Sequence, residues 1–320
     1  SGAVFFMLTL LAGCFFFMFR GLRKGKVLAT TVLLCTTVII IGFSVFSIVI
    51  IRSSVKTPTN EYQPDNPFTL VRYLNREQYG SKPLIYGEYF GAPYELTHDT
   101  NHAPYKGRYI KTRSMPEVSY KKEGKMLFPR MWDSREDSYI EFYKSYIGDN
   151  GIRIKGSDEL KPTFMQNLPF FLDYQVNWMY WRYFMWNFAG RQNDIHSPVP
   201  GDPLLGNWES GIGFLDRFRL GDQRMAPAHL KDNKGKNHYY MLPLLLGIIG
   251  LFFQYSCDKR GCWLTFLMFF MTGLAIVVYL NQSPYQVRER DYAYAGSFYF
   301  FSLWIGLGVT AAHDRACHSE

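Results

Sequence analysis

Long apolar runs stand at both ends of this 320-residue chain, and a largely polar stretch separates them. Two runs, residues 3–19 and 27–51, lie in the N-terminal part. Three more, residues 240–256, 262–280 and 296–312, lie in the C-terminal part. An α-helix rises about 1.5 Å per residue, so roughly 20 apolar residues cross a bilayer core of about 30 Å. The pattern therefore predicts an α-helical integral membrane protein with about five transmembrane helices.

Basic residues between the apolar runs predict the topology. Four lysines and arginines lie in residues 20–26, between the first two runs. Lys259 and Arg260 lie between the third and fourth runs. Positively charged loops stay on the cytoplasmic side, so both of these loops are expected there. Residues 52–238 and the loop at 281–297 are then predicted to be extracytoplasmic.

The expected organisation has three parts, with two transmembrane helices in residues 1–51 and three in residues 239–320. The insert between them, residues 52–238, shows mixed α/β signals. Within it, residues 67–79 have amphipathic spacing behind Asn66, a residue that caps helices. Strand-like sequences follow at 83–90, 108–113 and 126–132, and the last two could pair as a hairpin.

Residues 169–190, at the end of the insert, are aromatic enough to be mistaken for another transmembrane helix. A crossing here would move Lys259 and Arg260 outside and would leave Asp173 and Arg182 in lipid. Tryptophan and tyrosine rings suit the headgroup layer, where a ring can be half wet. We therefore predict an interfacial aromatic helix. A buried aromatic helix of the insert is the alternative.

Charge and cysteine content narrow the possible partners. The net charge is +8, but no nucleic-acid motif accompanies it, so attraction to membrane lipids is expected and nucleic-acid binding is not. None of the five cysteines lies in residues 52–238, and their spacing matches no metal site. His98, Asp99 and His102 lie close together, but no further ligand has a recognisable spacing. No metal site is predicted, and a requirement for a divalent metal stays open.

The loop at 281–297, NQSPYQVRERDYAYAGS, concentrates charge between two apolar runs. Arg288 and Arg290 are two residues apart, and two guanidinium groups can hold phosphate oxygens. Glu289 and Asp291 could accept a proton, orient an arginine or contact a sugar. At a membrane surface this combination suits a lipid-linked phosphate. The alternative is a solvated loop whose arginines anchor helix ends.

A second candidate site lies in residues 178–194, WMYWRYFMWNFAGRQND, where aromatic rings precede polar side chains. Proteins bind sugars with rings against CH faces and with polar groups on the hydroxyls. An aromatic belt followed by a polar turn is the alternative. The residues predicted to contact a sugar or an acceptor are Trp181, Arg191, Asn193, Asp194 and Tyr292.

Three segments resemble a known family: 180–194 (YWRYFMWNFAGRQND), 279–306 (YLNQSPYQVRERDYAYAGSFYFFSLWIG) and 83–94 (PLIYGEYFGAPY). They are similar to a multispanning membrane protein family of the Bacteroidota, formerly of unknown function. That family is grouped with GT-C glycosyltransferases related to protein O-mannosyltransferases. The resemblance implies a GT-C-like fold in the bacterial inner membrane, with the insert in the periplasm.

The implied activity is transfer of a sugar such as mannose from a polyprenyl-phosphate donor to a hydroxyl of a secreted protein or a glycan. The donor is a substrate, and no other cofactor is expected. A GT-C enzyme carries its main catalytic carboxylate on the loop after its first span. Here the first apolar run is predicted to run inward, so we expect that base upstream of Ser1, in a longer protein. Glu289 and Asp291 are weaker candidates for the base.

Two other functions fit the sequence. A transporter or flippase for lipid-linked glycans usually keeps ionisable residues inside its spans, and the five predicted spans have none in their interiors. A non-catalytic assembly protein would instead use the insert to bind a periplasmic partner.

Overall fold

Helices form most of the protein, in a computed structural model that describes residues 2–55, 58, 63–77, 80, 82–98, 100–113 and 117–317. A π-helix, Phe171–Trp181, joins two of the α-helices into one continuous helical segment. The α-helices are α1 (Gly2–Arg23), α2 (Val27–Ser44), α3 (Phe46–Ser54), α4 (Pro67–Asn75), α5 (Asp137–Ile147), α6 (Phe164–Phe170), α7 (Arg182–Phe188), α8 (Gly213–Leu220), α9 (Ala228–Lys231), α10 (Leu242–Cys257), α11 (Lys259–Thr272), α12 (Leu274–Leu280) and α13 (Ala295–Cys317).

Among the described residues, three helical segments are long and apolar enough to cross a membrane. They are Val27–Ser54, Lys259–Leu280 and Asp291–His313. Helix α10 is also apolar but has only 16 residues. The structure agrees with a helical membrane protein. The number of five transmembrane helices stays a prediction.

The chain forms two compact units. The first consists of Ser1–Ser81 and Asp99–Ser114, and the second of Lys82–His98 and Met115–Glu320. The predicted insert, residues 52–238, is therefore divided between the two units. Every residue assigned to a phosphate or sugar site lies in the second unit.

In the first unit, Asn66 caps α4 as the sequence predicts. Its side chain accepts hydrogen bonds from the backbone N–H groups of Phe68 at 3.2 Å and Thr69 at 3.1 Å. The Thr69 hydroxyl accepts one in return from the Asn66 N–H at 3.4 Å. The helix gives way to a left-handed residue, Arg76, earlier than predicted. Tyr79, the predicted last residue, lies outside the described residues.

Short antiparallel strands supply the β structure, and they are β1 (Tyr86–Glu88), β2 (Tyr94–Thr97), β3 (Thr100–Tyr105), β4 (Arg108–Arg113), β5 (Glu117–Tyr120), β6 (Lys125–Leu127), β7 (Gly190–Arg191) and β8 (Asn237–His238). Strand β1 pairs with β6, β2 with β5, β3 with β4 and β7 with β8. The predicted hairpin between residues 108–113 and 126–132 is wrong. Strand β4 turns back on β3 instead, through Lys106 and Gly107, which both have positive φ. A two-residue turn of this kind matches the twist of a hairpin.

The segment 164–188, made of α6, the π-helix and α7, forms the core of the second unit. Phe170, Tyr174 and Tyr183 are completely buried. The exposed positions form a narrow stripe that includes Asp173 and Trp181. Most rings are therefore covered by protein and are not free to enter a headgroup layer. This packing agrees with the buried aromatic helix, the alternative to the interfacial helix.

Close helix contacts hold the C-terminal helices together. Gly250 of α10 lies against the backbone of Trp304 in α13, and Gly308 lies against the backbone of Leu246. A Cβ atom at either glycine would overlap the neighbouring helix. Small residues allow this approach in membrane helix pairs. Gly306, on the same helix as Gly308, faces open space.

Candidate functional site

Glu289 lies at the centre of a hydrogen-bonded cluster in the second unit. Arg182 donates to both of its carboxylate oxygens, from Nη2 at 2.7 Å and from Nη1 at 3.3 Å. The Tyr183 hydroxyl donates to Oε2 at 2.6 Å, and the Ser197 N–H donates to Oε1 at 3.3 Å. The same Tyr183 hydroxyl accepts a hydrogen bond from the Arg290 N–H at 3.2 Å. The carboxylate thus joins the aromatic helix to the charged loop.

These contacts determine the ionisation of Glu289. Burial opposes its negative charge, but the charge and hydrogen bonds of Arg182, with those of Tyr183 and Ser197, outweigh burial. The pKa of Glu289 is therefore held below its ordinary value. A carboxylate that is ionised and bonded on both oxygens is a weak general base. Glu289 is better suited to act as a brace, which means that it holds the aromatic helix and the charged loop together.

Arg182 is the buried partner in this cluster, with 2% of its surface exposed. Its guanidinium carbon lies 4.1 Å from the ring centre of Trp178 and 4.7 Å from that of Trp186. Its Nη1 also donates to the carbonyl of Gly206 at 2.9 Å. A buried guanidinium needs a carboxylate partner, and Glu289 supplies it. Sequence reasoning named Arg182 only as a residue that lipid would not accept.

His196 adds a link between the two segments. Its Nδ1 lies 3.1 Å from Glu289 Oε1, and its Nε2 lies 2.7 Å from the carbonyl oxygen of Gln286. The Nε2 contact is a hydrogen bond, whereas Nδ1 has no hydrogen-bond partner among the described residues. No sequence signal pointed to this histidine.

The two predicted phosphate-binding residues flank Glu289 but do not pair with it. Arg288 is exposed and lies over the ring of Tyr292, 5.8 Å from its centre. Arg290 is half-buried, and among the described residues its Nε has no hydrogen-bond partner. Asp291 begins a short 3-10 turn, Asp291–Tyr294, that leads into α13. The guanidinium groups of the loop are thus not neutralised by the glutamate between them.

The 190–194 segment is mostly structural. Asn193 is completely buried, and its amide donates to the carbonyl of Leu204 at 2.7 Å and accepts from the Gly206 N–H at 2.9 Å. Arg191 lies over the ring of Trp186 at 4.0 Å and donates to the Asn193 carbonyl at 2.9 Å. A sugar could reach Asn193 only if this loop moved.

The remaining predicted sugar contacts are more accessible. Asp194 is exposed and accepts a hydrogen bond from the Asn233 side chain at 2.8 Å. Trp181 is exposed and stacks on Phe184 of the same helical segment, with ring centres 5.2 Å apart. Tyr292 is exposed beside Arg288. These side chains could meet a ligand without rearrangement of the core.

Another carboxylate of the second unit, Asp133, has no site role predicted for it. Its side chain is completely buried and accepts from Arg135 Nε at 2.9 Å and Nη2 at 2.6 Å. Burial raises its pKa, but the hydrogen bonds and charge of Arg135 outweigh burial and leave the pKa below its ordinary value. Asp133 is therefore an ionised structural carboxylate as well.

Arg130 is a buried cation that sequence reasoning missed. It is completely buried, and its Nη1 donates to the carbonyl of Val278 in α12 at 3.0 Å. Its Nη2 contacts the carbonyl oxygen of Leu84. Burial lowers the pKa of Arg130 to about 10. Because cations are favoured at the C-terminal ends of helices, this residue fixes the residues near β1 and β6 to the end of α12.

The described residues contain no group of three His, Cys, Asp or Glu side chains that could hold a metal ion. Asp99, between the two histidines named above, lies outside the described residues. The site therefore offers charged and aromatic side chains, and no ligand set for a metal can be assigned in it.

Comparisons with known proteins add one finding. A family of unknown function, DUF8416, matches residues 80–172. The match includes the strands β1 and β6 and helix α5, but neither the loop at 281–297 nor the segment at 190–194. No curated protein and no solved structure matches the chain.

Proposed function

We propose that the protein is a membrane glycosyltransferase of the GT-C type, or a part of one. It moves a sugar such as mannose from a polyprenyl-phosphate donor to a hydroxyl of a secreted protein or a glycan. Its place is the bacterial inner membrane, with five transmembrane helices and the insert in the periplasm. Arg288 and Arg290 bind the donor phosphate.

The charge of the loop carries this proposal. Glu289 would be the natural counter-ion of Arg288 and Arg290, but it forms its ion pair with Arg182. A buried Nε of Arg290 without a partner is a donor that an anion can satisfy. Phosphate suits a pair of guanidinium groups, because their fork geometry matches its oxygens.

The position of the loop supports the same ligand. It precedes the segment Asp291–His313, which is apolar enough to cross a membrane. The first N–H groups of a helix have no partner within the helix, and they favour anions. A phosphate whose lipid tail lies in the bilayer would meet the arginines and the helix start together.

The brace around Glu289 gives the arginines a fixed position. The Tyr183 hydroxyl joins Glu289 to the backbone of Arg290. The backbone that carries the Arg290 guanidinium is therefore held in place. Fixed donors stabilise the charge that develops on a leaving phosphate without reorganising. We assign Glu289 to this brace and leave Asp291 as the weaker candidate for a base.

The accessible aromatic and polar side chains are proposed to face the sugar or the acceptor. Tyr292 is next to Arg288 and is the first of these, because it would meet a sugar attached to a phosphate held there. Trp181, Arg191 and Asp194 remain in this proposal. Asn193 does not, because it is buried and serves the loop around it.

Separate replacement of the two arginines tests the proposal. Arg290→Ala and Arg288→Ala, in the full-length protein in proteoliposomes, should each lower transfer from a labelled polyprenyl-phosphate sugar on the order of 10-fold to 100-fold. Arg290→Lys should recover part of the loss, since the charge remains but the fork does not. Arg153→Ala, at an exposed position outside the loop, is the matched control. Undiminished transfer in both alanine variants would remove the phosphate role.

A further inference from the structure

Helix α8 has two exposed aromatic side chains. Phe214 is 85% exposed and Phe218 is 89% exposed, whereas Asp216 and Leu220 of the same helix are buried. Residues four apart share a helix face, so the two phenylalanines form one face and the buried pair another. Met225, in the 3-10 turn that follows, is 86% exposed. Exposed aromatic rings grouped in this way indicate an interaction surface.

The buried face explains why the phenylalanines cannot turn inward. Asp216 accepts hydrogen bonds from the N–H of Ser210 at 2.9 Å and from its hydroxyl at 3.0 Å. It also accepts one from the N–H of Gly211 at 2.8 Å. Together with buried Leu220, these bonds hold α8 in one orientation. The outward position of its aromatic face is therefore built into the loop before it.

The same loop is joined to the start of α10. The carbonyl of Ser210 accepts a hydrogen bond from the N–H of Tyr240 at 3.0 Å. Tyr240 lies two residues before Leu242, where α10 begins. A Cβ atom on Gly211 would touch the side chains of His238 and Tyr240. Helix α8 thus begins beside the N-terminal end of an apolar helix.

The length of α10 indicates how that end would lie in a bilayer. The helix packs through Gly250 against α13, within the candidate membrane segment Asp291–His313. Its 16 residues span about 24 Å, which is shorter than a bilayer core of roughly 30 Å. Charged residues follow at its other end, at 258–260. If those charged residues mark one face of the bilayer, the apolar layer extends beyond Leu242, to the level of Tyr240 and the loop that carries α8.

Charge around α8 favours one kind of occupant. Residues 213–236 contain six lysines and arginines but only three aspartates. Asp216 is buried, Asp222 is paired with Arg224 at 2.9 Å, and Lys236 is paired with Glu209 at 3.1 Å. The exposed Arg217, Lys231 and Lys234 outnumber the remaining exposed aspartate, Asp232. Arg217 is exposed next to Phe218. Exposed aromatic rings beside basic side chains are the composition of segments that lie in an anionic lipid surface.

We propose that α8 and the turn after it form a lipid-interface anchor. Phe214, Phe218 and Met225 enter the boundary between headgroups and acyl chains, and Arg217 contacts the phosphates of anionic lipids. The partner is the lipid surface itself. The anchor is independent of the proposed sugar transfer and does not use the arginines at 288 and 290.

Photochemical labelling in a bilayer tests the anchor. The photoreactive residue p-benzoylphenylalanine replaces Phe218 in the full chain, which is reconstituted in nanodiscs of phosphatidylcholine and phosphatidylglycerol in equal amounts. Irradiation should attach phospholipid to the peptide that contains residues 213–220. The control carries the same residue at Tyr94, an aromatic position in β2 that is 59% exposed. It should give at least several-fold less lipid adduct.

Three outcomes would overturn the anchor: no lipid adduct at position 218, attachment to another protein, or equal yields at 218 and 94. Because Phe218 is exposed, its replacement leaves the core intact, and an unchanged elution volume verifies this. A second variant adds Arg217→Gln to the photoreactive protein. The ratio of phosphatidylglycerol to phosphatidylcholine adducts should exceed one and fall toward one in this variant, but not with Arg153→Gln. A ratio of one from the start would remove the anionic part of the proposal.

Discussion

At the residue scale, the chemistry of the charged loop depends on one pairing. Glu289 has arginines on both sides in the sequence, yet its partner is Arg182, 107 residues away. The pairing satisfies a guanidinium that the aromatic helix has taken out of water. It also leaves Arg288 and Arg290 available. A residue that looked like a catalytic candidate is thus a brace beside the proposed phosphate site.

Removal of the Glu289 charge should destabilise the protein strongly. Glu289→Gln leaves the buried Arg182 without its counter-ion, and loss of one partner of a buried pair costs about 3–5 kcal/mol of the free energy of unfolding. Denaturant unfolding in detergent measures this change. Glu95→Gln is the matched control, because the Glu95–Lys121 pair is exposed and exposed pairs contribute at most about 1 kcal/mol. Equal effects of the two variants would contradict a buried brace.

The same carboxylate predicts how stability depends on pH. The folded-state pKa of Glu289 is lower than its ordinary value of 4.5, so its stabilising contribution is fully present above that value. It is lost as the pH falls below 4.5 and through the lower folded pKa. The midpoint of thermal unfolding should therefore differ between wild type and Glu289→Gln at neutral pH. The two should converge in acid, because a protonated glutamate resembles glutamine. A constant difference down to low pH would count against this pairing.

At the element scale, contacts between helices determine which aromatic rings are buried, and local sequence signals do not indicate this. The segment 164–188 reads as one helix, but its middle is a π-helix, and its rings pack on almost every side. Phe184 and Phe188 lie with ring centres 4.8 Å and 4.6 Å from that of Phe301 in α13. The aromatic content that resembles a membrane belt is instead the core of the second unit.

The close approach of α10 and α13 can be tested with single methyl groups. Gly250→Ala puts a Cβ atom against the backbone of Trp304, where no flexible side chain can yield. Overpacking of this kind should lower the free energy of unfolding by about 1–3 kcal/mol. Gly306→Ala is the matched control on α13, because its Cβ atom meets open space. Thermal unfolding in detergent compares the two, and a tolerated Gly250→Ala would contradict this contact.

At the scale of the whole molecule, the helical segment Lys259–Leu280 separates two charged regions. The charged residues at 258–260 lie at its start, and the loop at 281–297 follows its end. If that segment crosses a membrane, the two ends face different compartments. The basic residues at 259 and 260 predict which end is cytoplasmic. Arg288 and Arg290 would then work on the periplasmic side.

Labelling of thiols in intact cells checks this topology. Val287→Cys, at an exposed position of the loop, should react with a membrane-impermeant maleimide in cells whose outer membrane has been opened. The native Cys257, exposed at the end of α10, should react only after the inner membrane is opened. Peptide mapping separates these sites from the other cysteines. Labelling of Cys257 before Val287→Cys would reverse the predicted orientation.

The sequence by itself determined the features that depend on neighbouring residues. Three of the five predicted apolar runs correspond to helical segments that could cross a membrane, because helix length and apolar content are local properties. Asn66 predicted the start of α4 because a cap acts within three residues of itself. The charged loop was likewise visible as an interruption between two apolar runs.

Tertiary structure alone decided which distant groups meet. It paired Glu289 with Arg182, buried Asn193 and most rings of the aromatic helix, and left Phe214 and Phe218 outside. None of these outcomes follows from composition or periodicity, because each depends on the path of the chain between residues far apart. Glu289 has the same neighbours in the sequence whether its carboxylate pairs with Arg288 and Arg290 or with the distant Arg182. Only the fold brings the third guanidinium within hydrogen-bonding distance, and that contact distinguishes the role of Glu289 from the role proposed for Arg288 and Arg290.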